Sequence, residues 1–203
     1  LEALAAVFDA HPKAAVAGLP VVYFDDPGRV WFAGGRLNRW LGFTRHAGFR
    51  SRDLPSDPAP VDFVTGAAIA VRRDAFERLG GLDEAYFHYF EDTDFCERAR
   101  LAGYECWLAP SPAVRHLVSA SAGVAGSNRL TRDQAYYFAR NRLRFVRRDF
   151  RGLQRITALA AQPALVVYES VKALAQGNPA EARGRIEGLL AGIAGRTGPR
   201  APA

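Results

Sequence analysis

Between Val61 and His116 short apolar runs alternate with short helical segments, and that alternation restricts the chain to a mixed α/β fold. Val61 to Val71 is β-branched and small, with Gly66 interrupting it, and reads as a buried strand with a kink. Asp74 opens a short helix that Gly80-Gly81 ends. Asp94 and Glu97 are spaced as a capping box, which predicts a second helix from Phe95 to about Ala102, closed by Gly103. Glu91 and Asp92 then stand just before a helix N-terminus. Tyr104 to Leu108 and Val114 to Val118 read as short strands around Pro110 and Pro112.

The same alternation runs upstream. Leu1, Leu4, Ala5 and Phe8 share one helical face, and the apolar run Ala14 to Tyr23 after Pro12 predicts a strand. Asp25-Asp26-Pro27-Gly28 separates Val21–Phe24 from Arg29–Phe32 and predicts a hairpin. Gly34 to Pro60 lacks sustained periodicity and reads as a long loop, of the kind that carries function. From Leu130 the pattern turns helical. Tyr136, Ala139, Leu143, Val146 and Phe150 form an apolar stripe, with Arg140, Arg144, Arg147, Arg148 and Arg151 off it as a solvated cationic face. The charge-free run Ile156 to Tyr168 contains Pro163 and falls short of the roughly 20 residues a membrane span needs.

Charge follows this division. Residues 61–128 carry ten acidic against six basic side chains, whereas residues 129–203 carry fourteen basic against five acidic. A basic tail beside an acidic centre points to an anionic membrane surface or a phosphate-bearing partner, and the acidic centre argues against nucleic acid. Cys96 and Cys106 have neither CxxC spacing nor a histidine at ligand spacing, which fits a reduced, cytoplasmic setting.

The densest chemistry lies at Tyr86-Phe87-His88-Tyr89-Phe90-Glu91-Asp92-Thr93-Asp94. Carboxylates against five consecutive rings are costly to desolvate unless a cation, a metal or a substrate hydroxyl meets them. Packing is the default role for His88 among aromatics. His11 and His46 carry no argument from sequence. Arg98 admits two readings, a pair with an acid one helical turn away or a contact to substrate.

The order Val64-Thr65-Gly66-Ala67-Ala68, Gly80-Gly81-Leu82-Asp83-Glu84, Phe90-Glu91-Asp92-Thr93-Asp94-Phe95-Cys96-Glu97-Arg98, Gly103-Tyr104, Pro110 and His116 resembles the second half of the catalytic domain of family 2 glycosyltransferases, in particular their rhamnosyltransferase-like branch. The resemblance implies a partial GT-A-like α/β fold, a mixed sheet flanked by helices. Residues 1–128 would be its acceptor-side half and residues 129–203 a basic helical tail. It implies inverting transfer of a sugar from a nucleotide-diphosphate donor to a hydroxyl of a surface glycan or polyprenyl-linked saccharide. By position Asp92 would be the general base with Glu91 beside it. Thr65, Gly66, Trp31, Tyr86, Phe87 and Arg98 would contact substrate. His116 would bind a divalent metal, Mn²⁺ or Mg²⁺.

That metal would be shared with an Asp-x-Asp motif of a nucleotide-binding half, which is expected to precede Leu1. Without that half the chain is expected to lack donor binding and turnover. Asp92-Thr93-Asp94 matches Asp-x-Asp only as text. The expected location is cytoplasmic, at the inner face of the bacterial plasma membrane. A competing reading is a non-catalytic membrane-surface or glycan-binding module that keeps this half of the fold.

Overall fold

A computed structural model describes residues 1–117 and 129–200 of the chain. They form two compact units. One comprises Leu1–Leu37, Thr44–Leu82 and the described residues from Asp92 to Leu117; the other comprises Asn38–Phe43, Asp83–Glu91 and the described residues from Arg129 on.

In the first unit helix α1 (Glu2–Ala10) forms as expected but buries Leu4 and Val7; of the face read from sequence Phe8 is only partly buried, and Leu1 and Ala5 are exposed. Strand β1 (Ala14–Gly18) follows and is buried at every residue. Pro20 has no N–H to offer a ladder, and the apolar run expected as one strand breaks there, so β2 (Val21–Tyr23) joins a different sheet. Strand β3 (Val30–Phe32) pairs antiparallel with β2, Val21 facing Phe32, which is the expected hairpin.

Residues 34–60 are not the long loop expected. They hold β4 (Gly35–Asn38) and β5 (Phe43–His46), paired with each other, and end at β6 (Ala59–Val61). Each strand has only three or four residues, too short a run to stand out from a loop in sequence. The expected strand Val61–Val71 is also interrupted. Thr65 caps a 3₁₀ turn over Gly66–Ala68, accepting from the Ala67 N–H at 3.4 Å, and β7 (Ile69–Val71) begins after it.

Strand β8 (Glu105–Leu108) lies parallel to β1 on one side, and β7 lies antiparallel to β1 on the other, giving the order β6-β8-β1-β7. Strand β9 (Val114–His116) runs parallel to β2 with His116 opposite Tyr23. The expected continuation of this strand to Val118 lies outside the described residues. Helices α2 (Arg73–Arg78) and α3 (Glu91–Leu101) complete the unit. Val16, Val21, Phe32, Phe63, Phe95 and Leu108 are among the residues of its main core. This is a mixed α/β architecture, consistent with a partial GT-A-like domain.

Helix α3 begins at Glu91, four residues before the expected Phe95. Asp94 and Glu97 are therefore interior residues and not a capping box. Asp94 is fully buried and pairs with Arg98 at 2.7 Å, and Glu97 pairs with Arg100 at 2.7 Å. Acid and base three or four residues apart on a helix satisfy each other, a pattern that resembles a cap in sequence.

The second unit contains α4 (Arg132–Asp149), α5 (Gly152–Ala175) and α6 (Pro179–Ile193). Thr131 and Gln134 form a reciprocal capping box at the start of α4. Helices α4 and α6 run parallel in backbone contact, because Gly184, Gly188 and Gly192 face the carbonyls of Arg132, Tyr136 and Arg140. The arginines of α4 do not form the solvated face expected. Arg140 is 1% exposed and donates to the Tyr86 and Gly198 carbonyls; Arg142 is buried on Gln162 and Glu169; Arg144 and Arg148 both pair with Asp83. Guanidinium groups this well supplied with acceptors can be buried where lone charges cannot.

The same helix holds a strained segment in place. Phe87, Tyr89 and Phe90 have φ of +64°, +64° and +75°, a region costly for residues bearing a Cβ. The buried Asn141 Nδ2 donates to the carbonyls of Tyr86, His88 and Tyr89 at 3.0, 2.6 and 2.9 Å. Asn141→Ala is expected to take this donor from the His88 and Tyr89 carbonyls, while Arg140 still meets that of Tyr86, and to cost about 3 kcal/mol, measured by denaturant unfolding.

Candidate active site

Helix α3 carries Asp92 on its first turn, where the N-terminal dipole favours an ionised carboxylate. Its Oδ2 accepts the Gly66 N–H at 2.8 Å, and its Oδ1 accepts the Thr93 N–H at 2.6 Å and the Thr93 hydroxyl at 3.2 Å. The Thr65 cap sets the 3₁₀ turn that points the Gly66 N–H at this oxygen. A Cβ at Gly66 would meet Asp92 Oδ2 at 3.8 Å, an ordinary contact. Gly66 thus serves through its N–H, which orients the carboxylate.

Part of Asp92 stays open, yet protein surrounds the carboxylate closely enough for burial to dominate its acidity. Burial raises its pKa above the ordinary carboxylate range, against the hydrogen bonds of Gly66 and Thr93 and the charge of His46, which pull it down. The result is a stronger base than a solvated aspartate.

His46 is the residue that sequence reading missed. It sits on β5, in the stretch taken for a loop, and only the folded chain brings it within electrostatic reach of Asp92. Its Nδ1 lies 3.2 Å from the Trp31 carbonyl and its ring meets the Trp31 ring edge-on at 4.7 Å. Burial lowers its pKa, while the Trp31 carbonyl and Asp92 oppose that shift. Trp31 also contacts His116, the ring centroids lying 5.3 Å apart. His116 is half-buried, and burial lowers its pKa as well. Asp92, His46, Trp31 and His116 are thereby linked within one unit by an electrostatic contact and two ring contacts.

Among the described residues no group of three or more His, Cys, Asp or Glu side chains is placed to hold a metal ion. His116 could offer one ligand, and Asp94 of the Asp-x-Asp text is committed to Arg98. These residues by themselves do not fit a metal site.

Other expected contacts fall elsewhere. Arg98 donates to Asp94, to the Leu79 carbonyl at 2.6 Å and to the Gly81 carbonyl at 2.7 Å. Its guanidinium ties the end of α2 to α3, which makes it a structural residue and removes it from the candidate site. Tyr86 belongs to the second unit, is fully buried and lies beneath the Arg144 guanidinium at 5.3 Å, so it offers no open face to a sugar. Phe87, in that unit too, is 58% exposed beside Tyr137. Glu91 opens α3 and its charge, after burial, helps raise the phenol pKa of Tyr89.

Protonated His46 lowers the Asp92 pKa, the smallest of the influences on it, and replacement by Gln removes that influence. The Asp92 pKa is expected to rise further, moving the acid limb of the pH–rate profile to higher pH. A limb that stayed in place would show that the two groups do not communicate.

An α/β domain carrying a partly enclosed carboxylate at a helix start belongs to a class that comparison with known proteins defines. Residues 1–174 match the family described as Glycosyl transferase family group 2, and the chain belongs to that family. It is 39% identical over 75 residues to the N-acetylglucosaminyl-diphospho-decaprenol L-rhamnosyltransferase of Mycobacterium tuberculosis, a match covering 37% of this chain and 24% of that enzyme. It is 41% identical over 51 residues to the rhamnosyltransferase WbbL of Escherichia coli, covering 25% of this chain and 19% of that one. The hexosyltransferase Agl10 of low-salt glycan biosynthesis in Haloferax volcanii is 42% identical over 41 residues, 20% of this chain and 13% of its own. The matches thus span about a quarter of these relatives or less. The family match itself extends past α4 into α5.

Proposed function

We propose that the chain is the acceptor-side part of an inverting glycosyltransferase with Asp92 as general base. The donor is a nucleotide-diphosphate sugar and the acceptor a hydroxyl of a glycan carried on a polyprenyl lipid, by analogy with the mycobacterial relative. The observation that carries this reading is the Asp92 carboxylate, oriented by Gly66 and Thr93 and kept basic by burial.

The acceptor O–H gives its proton to an Asp92 oxygen while its own oxygen bonds to the anomeric carbon. On the opposite face the bond from that carbon to the diphosphate oxygen breaks, and the nucleoside diphosphate leaves with the electron pair. The Gly66 and Thr93 N–H groups fix the carboxylate plane, and His46 moderates its basicity. Trp31 is the aromatic face proposed for a sugar ring. A divalent metal, when bound, would neutralise the departing diphosphate. His116 is the one residue here proposed to face it, with the remaining ligands supplied from outside the chain. Among the described residues no helix is long and apolar enough to cross a membrane, and the proposed setting is the cytoplasmic face of the bacterial plasma membrane.

The test is the stereochemistry of transfer by the longest protein that contains this chain, supplied with a panel of nucleotide sugars and a lipid-linked acceptor. The product is expected to show inverted anomeric configuration by NMR. Retention would exclude a single displacement assisted by Asp92.

A further inference from the structure

The second unit contains a cavity of about 220 Å³ lined by Arg144, Arg147, Arg148, Gly192, Gly195 and Arg196. Four guanidinium groups around one space repel each other unless anions answer them. Acidic side chains and a carbonyl meet some of them. Asp83 pairs with Arg144 at 2.8 Å and also with Arg148, and Asp149 lies 3.9 Å from Arg148 Nε. Arg147 donates to the carbonyl of Gly192 at the end of α6. Arg196 has no side-chain partner among the described residues, and Arg144 Nε is buried without one. Two carboxylates and a helix C-terminus leave the cavity with excess positive charge and unused donors.

Aliphatic side chains stand exposed at the same end of the helices. Helices α4 and α6 run parallel and end at this cavity, and α5 begins after a two-residue link from α4. At that end Leu153, Ile156, Leu190 and Ile193 are 62%, 65%, 60% and 55% exposed. Donors for an anion beside uncovered aliphatic side chains match an amphiphile with a phosphate head.

We propose that this cavity binds the phosphate or diphosphate head of a lipid, its chains lying along the exposed residues of α5 and α6. The site does not depend on the role of Asp92, and binding can be read without any sugar transfer.

The test is flotation of the 203-residue chain with phosphatidylcholine vesicles, with and without phosphatidic acid, alongside titration with inorganic pyrophosphate. Binding to the phosphatidic acid vesicles alone, competed by pyrophosphate, is expected. Arg196→Glu should weaken it about tenfold and Arg196→Lys much less, as for loss of one charge-assisted hydrogen bond. Arg183 is 69% exposed on α6 outside the cavity lining, and Arg183→Glu should leave binding unchanged. Equal weakening by Arg183→Glu would mean diffuse charge attraction and overturn the site, as would no preference for phosphatidic acid together with no pyrophosphate binding. Pyrophosphate binding without vesicle binding would sustain a phosphate site and overturn the lipid source. Circular dichroism of each variant separates lost binding from lost fold.

Discussion

Transfer is expected to fall about 10²–10⁴-fold when Asp92 is replaced by Asn, because the amide keeps the size of the side chain but accepts no proton. The loss should appear in kcat with little change in KM, since the acceptor is still bound and only its deprotonation is impaired. Full activity in this variant would remove Asp92 from the role of base. An independent check comes from stability. Burial raises the Asp92 pKa in the folded state, so the folded chain holds that proton more tightly than the unfolded one. The associated stabilisation is fully present below the unfolded pKa and is lost as pH rises through the folded pKa. Denaturant unfolding across the acid range should show this decline in the wild type, and its difference from Asp92→Asn isolates the one carboxyl.

Gly188→Ala is expected to destabilise the helical unit by about 3 kcal/mol, although alanine is the better helix former by roughly 1 kcal/mol. A Cβ at Gly188 would overlap the Tyr136 carbonyl oxygen of α4, which is backbone and yields only if the helices separate. Of the neighbouring steps of the same ridge, Gly184 is as close, since its Cβ would overlap the Arg132 carbonyl, and Gly192 is looser, its Cβ standing 3.2 Å from that of Arg140. Urea unfolding of the chain measures the cost, and circular dichroism of an isolated α6 peptide should report the opposite sign. A stabilised chain would show that α4 and α6 do not meet through their backbones.

Local signals survived folding where one segment suffices to create them. The Asp-Asp-Pro-Gly turn, the amphipathic first helix and the glycines closing α2 each act within a few residues, and all appear where the sequence places them. Signals failed where two segments compete for the same residues. Asp94 and Glu97 satisfy a cap pattern and also an ion-pair pattern, and the burial of Asp94 against Arg98 decided between them. The short strands β4 and β5 became strands through pairing with each other, not through internal periodicity.

The candidate site divides in the same way. Asp92 was proposed because an acid pair beside a helix is a local pattern, and the structure does place it on the first turn of α3; His116 was proposed from family spacing alone. His46 was not, since 46 residues separate it from Asp92 and only the packing of β5 brings the two within electrostatic reach. The arginines of α4 were read as a cationic surface, yet Tyr86, Asp83, Gln162 and Glu169 take up much of it. Sequence alone determined the mixed α/β class, the family resemblance and the acid at the start of α3, because periodicity and motif order are properties of neighbouring residues. Tertiary structure alone decided which charges are answered, which glycines are contact points and which histidine stands near Asp92, because each of these depends on segments that meet only once the chain has folded.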